Sequence, residues 1–284
     1  FSYFYRYSFF AALLAKCFGK KTYFTGGIDS LDSDYASAFN YKIQALFFKL
    51  CYWVADSCII VSQSDLKNIF KVSSLKKKLS YSEHVINTKL FIADVPKEKI
   101  FTSIVWMGDE GNVVRKGVDK ALQIFAELKK IPEFVDYRFV IIGRKGEGEV
   151  LVRSIIDKYN LKGSVELKGE VSEEDKINLL KQSKYYFQLS LYEGFGLAAL
   201  EALCANNIII HSGKGGLANP IYKEQLLFDI DNDFDSELLK LVNKLACFTP
   251  ITSYDNLLEY YDIQRRKDDF EAIIVNGKSN YKLK

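Results

Sequence analysis

The 284-residue chain carries 39 Lys and Arg against 36 Asp and Glu, a net charge of +3 that is too small to mark a nucleic-acid binder. With 48% hydrophobic and 26% charged residues it has the composition of an ordinary globular protein, and its length allows two domains. The cysteines Cys17, Cys51, Cys58, Cys204 and Cys247 lack C-x-x-C spacing and read as reduced, buried thiols of a cytoplasmic protein. His84 and His211 form no zinc-site pattern, and no uncharged apolar run reaches the roughly 18 residues of a membrane-spanning helix. The aromatic opening, which begins at Phe1 without Met, has no small-residue cleavage site and does not read as a secretion signal.

Residues 2–18 read as a helix closed by Gly19, and Lys21–Phe24 as a short strand running into TGGIDS. A strongly apolar helix over 40–55 leads to a buried strand, Ala55–Val61, after which Ser62 or Ser64 is placed to cap a helix at Asp65–Phe70. The basic run Lys71–Lys78 reads as a solvated surface, with contact to acidic lipid as the sharper alternative. After EHVINTKLF, the segment Ala93–Lys99 has a linker's composition, which divides the chain into domains 1–95 and 96–284. From there the pattern becomes regular: strand Ser103–Met107, helix Val118–Lys130, strand Tyr137–Ile142, helix Gly148–Tyr159, strand Ser164–Leu167, helix Glu173–Gln182. Strands alternating with helices of this length indicate βαβ units and a parallel sheet. Toward the end come a strand at Leu226–Ile230, helices near Asp235–Ala246, Asn256–Tyr261 and Arg265–Val275, and a loose polar tail.

The chemistry concentrates in residues 185–216. An apolar strand, Tyr185–Leu191, is followed by the turn Glu193–Gly196, a helix marked by Leu197, Leu200, Leu203 and Cys204, a strand Asn207–Ile210, and a turn at Gly213, Gly215 and Gly216. Strand, glycine turn and helix deliver a helix N-terminus to a ligand, and its free N–H groups favour phosphate. Glu193 lies at the strand's carboxyl end, and Glu201 follows about two turns into the helix, its side chain leaning back toward the N-terminus. Because carboxylates repel phosphate, their natural partners are hydroxyls, one set on a sugar and one on a ribose.

This E-x7-E pattern around Gly-Phe-Gly resembles the donor site of the GT-B glycosyltransferases, specifically the retaining family four. The resemblance implies an α/β fold of two Rossmann-like parallel-sheet domains. It places donor sugar and phosphates on Glu193, Gly194, Phe195, Gly196 and Leu197, and the ribose on Glu201. Lys116-Gly117 matches the family's Lys-Gly, which brings Lys116, and Arg115 beside it, to the donor diphosphate. Gly143 in IIGR matches a strand-end glycine, and Glu170-Val171 falls where backbone groups meet the base. Glu193 and Lys116 are thus the catalytic candidates. Residues 1–92 are similar only to the later half of the family's acceptor domain, so the first domain reads as truncated, with an unusually small acceptor lobe as the alternative. The last helix is expected to cross back to it.

Three departures stand out. Gly26 occupies the position of the family's His near the transferred sugar. Asp109 replaces an Arg, in a lengthened loop. Ala218 and Asn219 stand where a Glu follows the second Gly-Gly. The resemblance implies retaining, metal-independent transfer of a hexose-type sugar from a nucleoside diphosphate sugar to an acceptor hydroxyl, in polysaccharide, glycolipid or glycoprotein glycan synthesis. The donor is a substrate, and no cofactor is expected. The expected partners are that donor, a glycan or lipid-linked acceptor and the cytoplasmic membrane face as a peripheral contact, with no nucleic acid. The alternative is a non-catalytic nucleotide-sugar-binding subunit of a glycosyltransferase complex, and a third reading is a nucleotide-sugar epimerase. A Rossmann dehydrogenase is disfavoured because no G-x-G-x-x-G turn opens the first βαβ unit.

Overall fold

The computed structural model describes residues 3–4, 6–33, 36–74, 76–92, 95–248 and 255–276. Ala93 and Asp94 of the linker, the tail after Asn276, and the side chains of Asp29 and Cys247 lie outside the described residues. In chain order the principal elements are α1 (Arg6–Cys17), β1 (Tyr23–Thr25), α2 (Ala38–Val54), β2 (Ser57–Ile60), α3 (Gln63–Val72) and β3 (Leu79–Tyr81). They continue with β4 (Glu98–Ile104), α4 (Glu110–Arg115), α5 (Val118–Leu128), β5 (Arg138–Ile142), α6 (Glu149–Lys158), β6 (Val165–Gly169) and α7 (Glu173–Gln182). The last are β7 (Ser183–Gln188), α8 (Leu197–Cys204), β8 (Ile208–His211), β9 (Leu226–Leu227), α9 (Phe234–Cys247), α10 (Asp255–Tyr260) and α11 (Ile263–Asn276).

Two compact units result. The first comprises Phe1–Ile86, Glu193–Phe195 and Glu259–Lys284, the second Asn87–Tyr192 and Gly196–Leu258. The first is built on a parallel sheet of order β1-β2-β3. Its core gathers Phe4, Phe24, Phe48, Cys51, Cys58 and Ile60. On α11, Ile273 and Phe270 pack on Tyr23 and Ile59. A buried polar network then fixes that helix. Ser82 Oγ and Arg265 Nη1 both donate to Asp269 Oδ2, each at 2.9 Å, and Tyr261 Oη donates to Glu83 Oε2 at 3.1 Å. Burial of these polar groups is tolerated because each has a partner.

The second unit is a parallel sheet of order β6-β5-β4-β7-β8-β9. Its inner strands β5, β4, β7 and β8 are largely buried, with the apolar runs Phe139–Ile142 and Ile208–Ile210 at β5 and β8, as a sheet covered on both faces requires. Phe101 of β4 stacks on Tyr185 and Phe187 of β7, with ring centroids 4.6 and 5.1 Å away. Side-chain caps begin several helices: Ser62 for α3, Ser172 for α7 and Asp233 for α9.

Strand β4 starts at Glu98, inside the segment whose composition suggests a linker, and ends before the expected Met107. Its charged opening is accommodated at the sheet's amino-terminal rim, where Arg138 Nη2 donates to Glu98 Oε2 at 3.3 Å. Val105–Met107 leave the regular ladder but stay tied to the β5 side through Val105 N–H to Ile142 O (2.8 Å) and Met107 N–H to Arg144 O (2.9 Å). Among the described residues, no helix is long and apolar enough to cross a membrane.

Candidate functional site

In the second sheet the chain leaves β4 toward β5 on one side and returns to β4's other side with β7. Such a reversal opens a crevice at the carboxyl ends of the two strands, the usual ligand position in open α/β sheets. Here the loops after β4 and β7 are in backbone contact. Leu191 N–H donates to Arg115 O at 2.8 Å. Gly117 adopts a left-handed conformation (φ +68), and a Cβ on it would lie 2.0 Å from the Leu189 carbonyl oxygen. The Lys-Gly pair therefore has a steric reason: only glycine lets Lys116 reach the end of β7.

The loop between β4 and α5 holds a short helix, α4, which Gly111 in its first turn conceals from a propensity reading. Asp109 caps it, accepting a hydrogen bond from Asn112 N–H at 2.6 Å. Asn112 Nδ2 donates to Trp106 O, and Asn112 Oδ1 accepts from Arg115 Nη2 at 2.6 Å. The carboxylate of Asp109 thus serves the α4 N-terminus, and Arg115 is held by Asn112. Lys116 is half-buried at the end of α4, its N–H bonded to Asn112 O.

At β5 and β6 the same logic recurs. Gly143 (φ +131) has no room for a side chain, since its Cβ would meet Val105 O at 2.0 Å, and its N–H donates to Gly169 O at 2.8 Å. Val171, just before α7, is half-buried against the cluster of Ile100, Val140, Ile142 and Leu179.

Gly196 (φ +88) is the N-cap of α8, and Tyr222 Oη donates to its carbonyl at 3.3 Å. Leu197 is 42% exposed at the first helical position. Glu201 Oε1 accepts from Lys176 Nζ of α7 at 3.0 Å, and Lys176 also bridges to Glu173 Oε2 at 2.8 Å. Burial holds the Glu201 carboxyl above its ordinary range, with Lys176 pulling the other way. For Lys176, burial opposes the charge but Glu173 and Glu201 outweigh it, so its pKa is raised.

Glu193, Gly194 and Phe195 group with the first unit. Phe195 is buried there, edge-on to His84 (centroids 5.4 Å apart) and 6.1 Å from Tyr261. Arg266 Nη1 donates to His84 Nδ1 at 2.6 Å. Burial, helped by that guanidinium, lowers the His84 pKa to about 4, so the imidazole is a neutral acceptor. His211 is likewise lowered to about 4, chiefly by burial. Among the described residues no cluster of three His, Cys, Asp or Glu is arranged to hold a metal.

Of the predicted site residues, the second unit thus gathers Arg115, Lys116, Gly143, Val171, Gly196, Leu197 and Glu201 on the carboxyl-end loops of β4 to β7 and on α8. Sequence reasoning missed Lys176, His84, Arg266 and Tyr222. In EEDK, Lys176 looks like one more surface charge of a capped helix.

Comparison with known proteins bears on this arrangement. The glycosyl transferases group 1 family matches residues 111–246, the segment that carries the switch-point loops, α7 and α8. The chain is similar to that family over this segment. A GDP-mannose:cellobiosyl-diphosphopolyprenol alpha-mannosyltransferase of Xanthomonas oryzae pv. oryzae is 32% identical over 163 residues, 50% of this chain and 40% of that protein. The GPI3 component of the phosphatidylinositol N-acetylglucosaminyltransferase of Saccharomyces cerevisiae is 27% identical over 129 residues, 45% of this chain and 28% of that protein. These alignments span less than half of each relative. Among solved structures, sucrose-phosphate synthase from Thermosynechococcus elongatus superposes with a TM-score of 0.77 at 20% identity, covering 97% of this chain and 72% of that one. Anabaena HepE in complex with UDP-glucose gives 0.73 at 13% identity, covering 94% and 75%. The fold is therefore GT-B.

Gly117→Ala is expected to cost about 2–4 kcal/mol of stability in urea unfolding, from left-handed strain plus the clash with Leu189 O. Gly163→Ala, at φ +85 with open surroundings, should cost only about 1–2 kcal/mol. Equal losses at the two positions would show that the Leu189 contact is not what fixes Gly117.

Proposed function

We propose that this chain is a retaining glycosyltransferase that moves a sugar from a nucleoside diphosphate sugar to an acceptor hydroxyl. The observation that carries the reading is the start of α8 at Gly196–Leu197, in the same unit as the Lys116-Gly117 loop that the Gly117 contact holds against Leu189. The amides at the start of α8 and the Lys116 ammonium suit a diphosphate that gains charge as it leaves. Glu201 suits the ribose hydroxyls, Glu193 the donor sugar, and Gly143 and Val171 the base. Arg115 adds positive charge beside Lys116. Asp109, an anion in this loop, is compatible with diphosphate because α4 absorbs it as a cap. In the front-face path proposed here the departing phosphate takes the acceptor proton, so the protein supplies position and charge rather than a strong base. Donor and acceptor classes follow the relatives' names: a nucleotide sugar, and a lipid-linked or glycan hydroxyl.

One observation favours the second reading, a non-catalytic nucleotide-sugar-binding subunit. At Gly26, where the resemblance puts the family's His, there is no side chain, and the φ of +112 together with a Tyr3 ring 2.5 Å from a would-be Cβ disfavours one.

The proposal includes peripheral contact with an anionic membrane face. Tyr7, Phe10, Leu14 and Phe18 recur at helical spacing along α1 and its end, all exposed, with Lys20 and Lys21 just beyond.

Incubation with nucleoside diphosphate sugars and a lipid-linked acceptor should yield product whose anomeric configuration matches the donor. Glu193→Ala should abolish transfer with unchanged circular dichroism. Nucleotide-sugar binding without turnover by the native chain supports the binding subunit instead, and full turnover by Glu193→Ala removes Glu193 from the mechanism. Flotation with phosphatidylglycerol vesicles should recover the native chain and lose Phe10→Ser/Leu14→Ser. Equal recovery of both proteins would contradict the α1 contact.

A further inference from the structure

Lys176 lies between two carboxylates of very different exposure. The Glu173 side chain is 82% exposed, whereas Lys176 and Glu201 are 14% and 17% exposed. Lys176 occupies only Oε1 of Glu201; among the described residues Oε2 accepts no hydrogen bond. A half-buried carboxylate with one oxygen held by an ammonium is restricted in orientation, and its second oxygen keeps its capacity to accept from a ligand. The ammonium also favours the ionised form against surroundings that favour the neutral acid.

We propose that Lys176 is a positioning residue for nucleotide recognition, which orients Glu201 and keeps it anionic so that Oε2 accepts hydrogen bonds from the two vicinal hydroxyls of a ribose. The inference rests on the proposed donor-binding reading and deepens it by adding a residue of α7 to the nucleoside end of the site. It also makes binding pH-dependent in a definite sense. The groups acting on Glu201 are Lys176 and Glu173 from α7, and Cys204 on α8 itself feels its charge. The strands packed on α8 bring Lys184, which lies over the Tyr185 ring, and His211, which lies against Tyr222. Burial already raises the Glu201 pKa, and the Lys176 charge and hydrogen bond lower it. Removing the ammonium raises it further. The carboxylate is the acceptor and is lost as pH falls through its pKa, so the variant should lose its ribose preference at a higher pH than the native protein does.

The test is calorimetric titration of the full chain with uridine and guanosine diphosphates and their 2′-deoxy analogues at pH 8 and pH 6. The native protein should prefer the ribonucleotide over its 2′-deoxy analogue at both pH values. Lys176→Met should bind it about 10-fold more weakly at pH 8, the size of one charge-assisted hydrogen bond, and weaker again at pH 6. It should also lose most of its preference over the 2′-deoxy analogue, and Lys176→Arg should restore both properties. A Lys176→Met protein with native affinity, native ribose preference and the native pH profile overturns the proposal. So does a variant weakened equally toward ribo- and deoxyribonucleotides at both pH values, since a merely structural ion pair acts that way. A native protein that binds no nucleoside diphosphate overturns the donor-binding reading and this inference together.

Discussion

The second unit depends on one close approach of backbone to backbone. At the switch point between β4 and β7 the chain must bring two carboxyl-end loops within contact distance without a side chain between them. Gly117 makes this possible by taking a left-handed conformation with its missing Cβ facing the Leu189 carbonyl at 2.0 Å. The Arg115 carbonyl then accepts from Leu191 N–H, so Lys116 is fixed between two anchored neighbours. Gly143 does the same one strand over, against the Val105 carbonyl. Loops held by such contacts form a rigid rim, which a binding site based on positioned amides and a positioned cation requires.

Charge on that rim is managed locally. Asp109 is absorbed by the α4 N-terminus, Arg115 is steadied by Asn112, and Glu201 by Lys176. Asn219, which with Ala218 stands where the resemblance expects a Glu, caps the 3-10 turn Pro220–Tyr222 by accepting from Ile221 N–H. Tyr222 at the end of that turn holds the Gly196 carbonyl. Asn219 thus has a structural role, as the N-cap of the turn that ends in Tyr222.

The parallel sheet and the strand–turn–helix unit were legible in sequence because long apolar strands, glycine turns and helical spacing coincide there. Element ends were less legible. The start of β4 hides in Glu98-Lys99, whose charges are used in pairing with Arg138 and Asp136 rather than in a linker. The short α4 hides behind Gly111, because its stability comes from the Asp109 cap and not from propensity. Lys176 and His84 were illegible for a more general reason. Their partners, Glu201 and Arg266, lie far along the chain, and no local spacing announces a contact made only by tertiary packing.

The most direct measurement is a crystal structure of the chain with a bound nucleoside diphosphate. The expected result places ribose hydroxyls within about 3.2 Å of Glu201 Oε2, with Lys176 still on Oε1, and the diphosphate against the Gly196–Leu197 amides and Lys116. A nucleotide bound with Glu201 and Lys116 both out of contact would contradict it.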